Sequence, residues 1–356
     1  MIITMQKIIP SLPESYTFRP VFDDASAPSL LRVVESKVEK RAQTLGQDQK
    51  TTARGLSNGL TLLKSAITRF GHRGTRFNFL NQPLVENTLP SIQFAVEKGL
   101  RHFEFDLMRT ADNQLVVSHG DDILEILGLE GQTVGEFCLG HLTGLCYDGG
   151  IPLATFDDIL AYSAQWNVEH PTDRISLNPE LKGPKTVALA LSSVERSKKI
   201  VGEGSPGIVF SSFSAENLSE LASQPEGIGN ATVSILIENQ NTPVGKHSPD
   251  ETRLGICDAL KIKKSLEEMG VFHSVGLSQS LFQVQDNRET LKNSGISQVN
   301  IFSDDQKFAR IDSIQNPFVL MDTVERSHGF AIAAFLDNPE TIDLAIQMLN
   351  AIADGE

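Results

Sequence analysis

Cysteine is scarce in this 356-residue chain, and what the sequence lacks narrows the class of protein. The three cysteines, Cys138, Cys146 and Cys257, form no CxxC pair, which argues against a disulfide framework and a cysteine-ligated zinc site. Basic residues are also few. The chain has 31 Lys and Arg and 45 Asp and Glu, which gives a formal net charge of −14. A chain this acidic is a poor partner for nucleic acid or for an anionic membrane surface.

Long apolar runs are missing too. No segment approaches the length of a membrane span. The first residues, MIITMQKIIPSLPESY, have a short apolar start that Lys7 and Pro10 interrupt, without the apolar stretch of a secretory signal. We therefore expect a cytoplasmic protein, with export by a route that needs no signal peptide as the alternative. The 40% hydrophobic fraction is ample for a core.

The chain divides into three parts by pattern. Residues 1–28 hold several Pro, Ser and Asp, and a helical pattern follows from Ser29 to Thr68, interrupted by Gly46, Gly55 and Gly59. Beyond this point, short apolar runs alternate with helical patterns. We expect an N-terminal arm and helical extension over 1–66, a barrel over 67–325, and a C-terminal helix packing on the barrel over 326–356.

The alternating region contains eight strand candidates: ITRFGH (67–72), HFEFDL (102–107), ISLNPELK (175–182), GIVFSSF (207–213), TVSILIE (232–238), SVGLSQSLF (274–282), QVNIFS (298–303) and PFVLMD (317–322). Eight strands with helices between them favour a (β/α)₈ TIM barrel, and a doubly wound open sheet is the alternative. LVVSH (115–119) follows the second strand after only TADNQ. That connection is too short for a parallel crossover, so we expect a hairpin.

Acidic residues occupy one side of two of these strands. In RHFEFDLM, Phe103 and Phe105 alternate with Glu104 and Asp106, and ISLNPELK places Glu180 on the corresponding side. Like charges on an inner strand face repel each other and lose hydration. Three converging carboxylates match the ligands of a hard divalent cation, Ca²⁺ or Mg²⁺. The alternative is a set of structural salt bridges to Lys182 and Arg73.

Two histidines close strands at the same end of the predicted barrel, where the carboxyl ends of the strands form its mouth. His72 and Arg73 close the first strand between Gly71 and Gly74, and His119 closes the hairpin. A metal and cationic side chains can hold a phosphate while two histidines move protons on its opposite sides. The pattern therefore favours phosphoryl chemistry.

Several runs together resemble the glycerophosphodiester phosphodiesterase family. They are GHRG (71–74), VENT (85–88), FEFDLMRTADNQLVVSH (103–119), IPLATFDDIL (151–160), LNPELKG (177–183), VFSSF (209–213) and FVLMD (318–322). The resemblance covers roughly residues 67–325. It implies a TIM barrel, a divalent cation, and hydrolysis of a small glycerophosphodiester to glycerol 3-phosphate and an alcohol.

The resemblance also implies a role for each matching residue. His72 and His119 match the general acid/base pair; Glu104, Asp106 and Glu180 the metal ligands; Arg73 and Lys182 the phosphate contacts; and Glu86 and Asn87 supporting residues, although Asn87 is also a candidate helix cap. We expect His119, on the hairpin, to be the acid, and His72, beside Arg73, to be the base or nucleophile.

The chain departs from the family pattern at three places. An Asp usually follows the second histidine directly, whereas this chain reads His119-Gly120-Asp121. Pro179 precedes Glu180 and removes a backbone donor from the strand. The seventh strand ends IFSDD (301–305) in place of a Trp-Thr-x-Asn sequence. Two other functions remain open: a phospholipase D-like phosphodiesterase acting on lysophospholipid or sphingolipid, and a non-catalytic binding barrel.

Overall fold

Strands and helices alternate through most of the computed structural model, which describes residues 30–76, 85–120, 129, 132–144, 146–147, 150–224, 227–238, 254–303 and 315–355. The strands in these ranges are β1 (Thr68–Gly71), β2 (His102–Arg109), β3 (Leu115–Val117), β4 (Cys146–Tyr147), β5 (Ile151–Pro152), β6 (Ser176–Leu181), β7 (Gly207–Ser212), β8 (Thr232–Ile237), β9 (Phe272–Ser278), β10 (Gln298–Phe302) and β11 (Ala331–Leu336). The helices are α1 (Leu30–Leu45), α2 (Gln49–Ala66), α3 (Leu89–Glu97), α4 (Leu139–Leu142), α5 (Phe156–Glu169), α6 (Thr186–Val201), α7 (Ala215–Leu221), α8 (Ile256–Glu268), α9 (Gln279–Gln283), α10 (Gln285–Asn293), α11 (Pro317–Glu325) and α12 (Thr341–Asp354), with 3₁₀ turns at Val134–Glu136 and Gly202–Gly204.

Eight parallel strands form a closed barrel. Their order around the ring is β1, β2, β6, β7, β8, β9, β10 and β11, and β11 pairs with β1. The β3 strand is antiparallel to β2, as the short connection predicts, and β4 pairs with β5 in a separate hairpin. The predicted (β/α)₈ barrel with N-terminal helices is confirmed, and the open sheet is wrong.

Strand alternation separates the core from the barrel interior. Phe103, Phe105 and Leu107 of β2 are fully buried in the main hydrophobic cluster, and the Phe105 ring lies 6.0 Å from that of Phe156 on α5. The other side of β2 faces into the barrel, where Asp106 stands in register with Glu180 of β6. Residues paired across neighbouring parallel strands share a face, so these carboxylates point into one space.

Pro179 interrupts the sheet beside Glu180, as expected. On one side, β6 pairs with β2 through Pro179 itself. On the other side, its pairing with β7 skips from Leu177 to Glu180. Within the gap the Asn178 side-chain amide donates to the Val209 carbonyl at 2.5 Å. A side chain thus donates in the stretch where proline has no N–H to offer.

The predicted strand at 317–322 is wrong. These residues belong to α11, with the Asn316 side chain accepting a hydrogen bond from Phe318 N and Pro317 in the first turn. A short apolar run does not distinguish a strand from a buried helix, whereas Asn followed by Pro is a helix-start signal. The eighth barrel strand is β11, so the expected boundary at residue 325 falls before the barrel ends. The stretch predicted as a strand over 274–282 likewise turns into α9 after Ser278.

The N-terminal helices pack into the same core as the barrel. α1 ends at Leu45, and the Asp48 side chain caps α2 by accepting from Thr51 N at 2.9 Å. Gly55 and Gly59 lie within α2, so the breaks expected there are wrong. Leu56 and Leu60 of α2 are buried in the main hydrophobic cluster, which makes this helix a part of the folded unit. The arm over residues 1–28 lies outside the described residues.

None of the helices in the described ranges has the length and apolar character needed to cross a bilayer.

Candidate active site

Charged side chains meet at the carboxyl ends of four adjacent barrel strands. The turn after β1 carries His72 and Arg73, β2 carries Glu104 and Asp106, and β6 carries Glu180 next to its last residue. The fourth strand, β11, is followed by an aspartate, Asp337. In (β/α)₈ barrels this face is the usual place of the active site.

The carboxylates of Glu104, Asp106 and Glu180 form a compact cluster. One oxygen of each lies within 4.8 Å of the others, and the residues are 3%, 1% and 6% exposed. The structure therefore brings together the three acidic residues that strand alternation had placed on one face. All three offer only oxygen atoms, the donors that Ca²⁺ and Mg²⁺ prefer.

Two cations offset part of this charge. Lys182 Nζ lies 2.6 Å from Glu180 Oε1 and 3.3 Å from Asp106 Oδ1, and Arg73 Nε lies 3.6 Å from Asp106 Oδ2. The salt bridges proposed as an alternative thus exist for Asp106 and Glu180. Glu104 instead accepts a hydrogen bond from the backbone N–H of Arg73 at 2.9 Å.

The three carboxyl groups are not equally paired with cations, and their pKa values differ as a result. Burial, together with the neighbouring Asp106 and Glu180 carboxylates, raises the pKa of Glu104 well above its ordinary value. Burial also opposes ionisation of Asp106, but Lys182, His119 and Arg73 outweigh it and lower the pKa of Asp106. Burial and two neighbouring carboxylates thus disfavour the charged form of Glu104. A divalent cation would compensate that charge, so the donor set fits a metal ion.

The turn after β1 holds Arg73 in a conformation that favours glycine. Arg73 has φ 52° and Asn87 has φ 57°, and Asn87 N donates to Arg73 O at 2.8 Å. A Cβ atom on Gly71 would lie 2.0 Å from Gly74 O, and one on Gly74 would lie 2.3 Å from Ser91 Oγ. The glycines of GHRG thus permit the close approach that puts Arg73 at the mouth, and left-handed non-glycine residues concentrate at functional sites.

Glu86 links two arginines. Its carboxylate accepts from Arg73 Nη1 at 2.6 Å and forms a very short ion pair with Arg76. Burial works against charge at both ends of the Arg73–Glu86 pair. Glu86 and Asp106 nevertheless raise the pKa of Arg73, and Arg73 and Arg76 lower the pKa of Glu86. The guanidinium of Arg73 stays charged and its position is held from both sides.

Asn87 contacts the acidic cluster and is not the cap of α3. Its Nδ2 donates to Asp106 Oδ2 at 2.9 Å, and its Oδ1 accepts from Asp106 N at 3.2 Å. Thr88 caps α3 instead, accepting from Ser91 N. Both polar ends of the Asn87 amide therefore serve to orient Asp106.

His119 stands at the end of the β3 hairpin. Next to it, Ser118 N donates to Asp106 O at 3.0 Å, which ties the hairpin end to β2. Positive charge on His119 lowers the pKa of both Glu86 and Asp106, so His119 lies within electrostatic range of these two carboxylates. Asp121, two positions after His119, lies outside the described residues, as do Asp304 and Asp305 of IFSDD.

One residue of the mouth was missed in the sequence. Asp337 directly follows β11, and its Oδ1 lies 2.7 Å from His72 Nδ1. The other ring nitrogen, His72 Nε2, lies 3.8 Å from Glu104 Oε2. The available signal was an aspartate after the last strand, in FLDNP (335–339). The strand predicted at 317–322 lies about fourteen positions before β11, so the pattern does not mark the residue after position 336 as part of the mouth.

Comparison with known proteins agrees with this geometry. The glycerophosphoryl diester phosphodiesterase family matches residues 72–247. A candidate glycerophosphodiester phosphodiesterase from Galdieria sulphuraria is 17% identical, with a TM-score of 0.54 over 79% of this chain and 98% of that chain. An Oleispira antarctica phosphodiesterase in complex with the product sn-glycerol-3-phosphate is 18% identical, with a TM-score of 0.52 over 80% and 98%. A Parabacteroides distasonis glycerophosphodiester phosphodiesterase is 20% identical, with a TM-score of 0.50 over 81% and 98%.

A search of curated proteins gives no match. At these low identities the structural likenesses support the barrel fold. The family match, which begins at His72 and spans Arg73, Glu104, Asp106, His119 and Glu180, goes further: this chain belongs to the glycerophosphoryl diester phosphodiesterase family.

Proposed function

We propose that this protein is a metal-dependent phosphodiesterase that hydrolyses glycerophosphodiesters to glycerol 3-phosphate and an alcohol. The observation that carries the proposal is the cluster of Glu104, Asp106 and Glu180, whose oxygens lie within 4.8 Å of one another. Arg73 and Lys182 border this cluster, so a metal ion and two cationic side chains can share one phosphate. Membership of the family supports the same reaction.

The metal ion is Ca²⁺ or Mg²⁺ in this proposal, held by Glu104, Asp106 and Glu180. When bound, it neutralises charge on the phosphoryl oxygens and polarises the phosphorus for attack. Arg73 and Lys182 bind the remaining phosphate oxygens, and Glu86 and Asn87 keep Arg73 and Asp106 in position. Arginine suits this role because its charge persists at any working pH and its fork matches phosphate geometry.

The two histidines divide the proton transfers. His72 accepts a proton from the attacking group, or attacks phosphorus itself, through Nε2, the ring nitrogen on the side of the carboxylate cluster. His119 donates a proton to the oxygen of the departing alcohol as the P–O bond breaks. In total one water is consumed, its hydroxyl ends on phosphorus, and its proton restores the donor. The position of His119 on a hairpin favours it as the donor, because a hairpin can approach the bound ester.

The leaving group tests this division. His119→Ala should lower kcat about 10²- to 10⁴-fold for an alkyl ester, and far less for a p-nitrophenyl ester, whose leaving group needs little protonation. His72→Ala should be equally damaging with both esters. His170→Ala is the control, because His170 stacks on Trp166 away from the mouth. Equal losses for His119→Ala on both esters would remove its role as acid, and relief seen only in His72→Ala would reverse the pair.

A substrate panel separates this function from the alternatives. Glycerophosphodiesters, lysophospholipids and a lysosphingolipid are assayed with EDTA and with added Mg²⁺ or Ca²⁺. We expect metal-dependent release of glycerol 3-phosphate from the first group. Turnover confined to the lipids would favour the phospholipase D-like reaction, and no turnover of any ester at saturating metal would favour a non-catalytic binding barrel.

A further inference from the structure

The proposed mechanism does not use the contacts that Asp337 makes at the mouth. We propose that Asp337, held by Arg76, is a positioning residue that keeps the proton of neutral His72 on Nδ1 and leaves Nε2 free to accept a proton or attack. The inference rests on the proposed function for its consequence in catalysis. The ring arrangement itself is a separate and directly measurable property.

Asp337 is held through both its backbone and its side chain. Asp337 N donates to Gln315 Oε1 at 2.9 Å, and Asp337 O accepts from Thr75 Oγ1 at 3.0 Å and from Arg76 N at 2.8 Å. These contacts join the end of β11 to the loop that follows GHRG. The Arg76 guanidinium also lies 3.7 Å from Asp337 Oδ1. Asp337 is only 6% exposed, so its side chain has little freedom.

Asp337 is ionised in this setting, and this decides which ring nitrogen of His72 carries the proton. Burial opposes the charge, but Arg76 and His72 outweigh it and lower the pKa of Asp337. An ionised carboxylate can only accept hydrogen bonds. At 2.7 Å from Asp337 Oδ1, His72 Nδ1 must therefore be the donor, and in the neutral imidazole the lone pair lies on Nε2.

The ring of His72 is also fixed in orientation. It stacks on Phe335 with the ring centres 6.2 Å apart and the planes 18° apart, and the backbone N–H of His72 donates to Leu336 O at 3.0 Å. Nε2 is thus aimed at Glu104 Oε2, 3.8 Å away, on the side where the metal and phosphate are proposed to bind. A carboxylate that orients a catalytic histidine typically matters strongly for turnover, although it touches no substrate.

The first test is direct. Wild-type protein labelled with ¹⁵N-histidine should show His72 as the Nδ1–H tautomer by NMR, with the signal identified by its loss in His72→Gln. A wild-type ring protonated on Nε2 alone would overturn the proposal without any change to Asp337. This measurement does not require that the protein hydrolyse anything.

The second test uses Asp337→Asn and Asp337→Ala, with Thr75→Val as the matched control. Thr75→Val removes a hydrogen bond to the backbone of Asp337 and keeps the carboxylate, so kcat should stay within about threefold. In Asp337→Asn the amide can donate to Nδ1, which should shift His72 to the Nε2–H tautomer and lower kcat about 10³-fold or more at little-changed KM. The loss should be the same for alkyl and p-nitrophenyl esters.

The outcomes separate the two proposals. If both Asp337 variants keep His72 as the Nδ1–H tautomer and have a kcat like that of Thr75→Val, the positioning role is overturned while the phosphodiesterase proposal stands. If wild-type protein hydrolyses no phosphodiester but the tautomer shifts in Asp337→Asn, the proposed function fails while the control of the ring by Asp337 stands. If Asp337→Asn does not fold, the tautomer and kcat of Asp337→Ala are compared with those of Thr75→Val instead.

Discussion

The mouth of the barrel and the neutral polar layer next to it are both buried, but their polar groups are stabilised differently. At the mouth, Asp106 and Glu180 form ion pairs with Lys182 and Arg73, and Glu104 accepts a hydrogen bond from the backbone of Arg73. Next to these residues on the inner face lies a neutral layer, in which Asn178 stands in register with Glu104 and Ser211 with Glu180. Its side chains are all at most 1% exposed: Asn178, Ser211, Ser234, Ser274 and Asn300. Both regions are buried and polar, yet only one is ionic.

The neutral layer is held by hydrogen bonds among its own members. Asn178 Nδ2 donates to Ser211 Oγ at 3.0 Å, Ser274 Oγ donates to Ser234 Oγ at 2.9 Å, and Asn300 Nδ2 donates to Ser274 Oγ at 3.0 Å. The donors of the layer thus find neutral acceptors, whereas Asn178 Oδ1 and Asn300 Oδ1 are buried without a hydrogen-bond partner among the described residues. At the mouth, carboxylates have only acceptors and depend on cations from elsewhere. The comparison shows two ways of burying polar groups in one barrel: ion pairs at the mouth, and hydrogen bonds between neutral groups beside it.

The largest expected effect comes from removing charge at the mouth. Glu104→Gln, Asp106→Asn or Glu180→Gln should each weaken divalent-cation binding and lower kcat/KM by about 10³-fold or more, since the ion stabilises several kcal/mol of transition-state charge. Unfolding should remain cooperative. Glu195→Gln, which changes an exposed carboxylate on α6, is the control. Calorimetric titration that finds unchanged metal affinity in all three variants would contradict the metal site.

The next largest effect comes from adding charge to the neutral layer. Asn178→Asp places a carboxylate against the Val209 carbonyl, to which the amide now donates. It should lower the free energy of unfolding by about 3 kcal/mol or more at neutral pH, because a buried charge is left without a partner. The loss should shrink in acid, where a protonated carboxyl can donate again. Urea unfolding at pH 8 with wild-type stability would mean that this layer tolerates charge as the mouth does.

A smaller effect is expected from removing one hydroxyl of the neutral layer. Ser234→Ala takes away an acceptor for Ser274 and Asn300, and should lower the free energy of unfolding by about 1–3 kcal/mol. Metal affinity should not change, which separates this layer from the mouth. Ser223→Ala, at an exposed turn, is the control. A change in metal affinity as large as that of Glu180→Gln would show that the two layers are not independent.

The smallest effect concerns pH in the absence of metal. The pKa of Glu104 is raised above its ordinary 4.5 in the folded protein, so the folded state binds this proton more tightly than the unfolded state. Its contribution to stability is therefore complete below about pH 4.5 and is lost as the pH rises through the raised pKa. Saturating Mg²⁺ or Ca²⁺ should flatten this dependence, as should Glu104→Gln. Urea unfolding between pH 4.5 and pH 8 in EDTA measures the slope, and an identical slope in Glu104→Gln would assign it to other groups.

Local pattern predicted most of the barrel and of the ionic mouth. The alternation of HFEFDL puts Glu104 and Asp106 on one face whatever surrounds them, because strand side chains repeat every two residues. The pattern misjudged PFVLMD, where an apolar run of six residues suits a strand and a buried helix equally. That error displaced the last strand and hid Asp337. The position of Asn87 before α3 likewise suggests a helix cap, whereas in the structure its amide contacts Asp106 on β2.

By itself the sequence determined the parallel barrel, the acidic face of β2 and β6, and the histidine and arginine at the end of β1, because each depends on spacing along one segment. Only the tertiary structure decided that the barrel closes between β1 and β11, and that Asp337 meets His72 there, 265 positions away in the chain. It also decided that Lys182 and Arg73 leave the charge of Glu104 uncompensated, since a pKa depends on every charge and dipole packed around a group. Contacts between distant segments depend on which strands pair to close the barrel, and the periodicity within one segment does not contain that information.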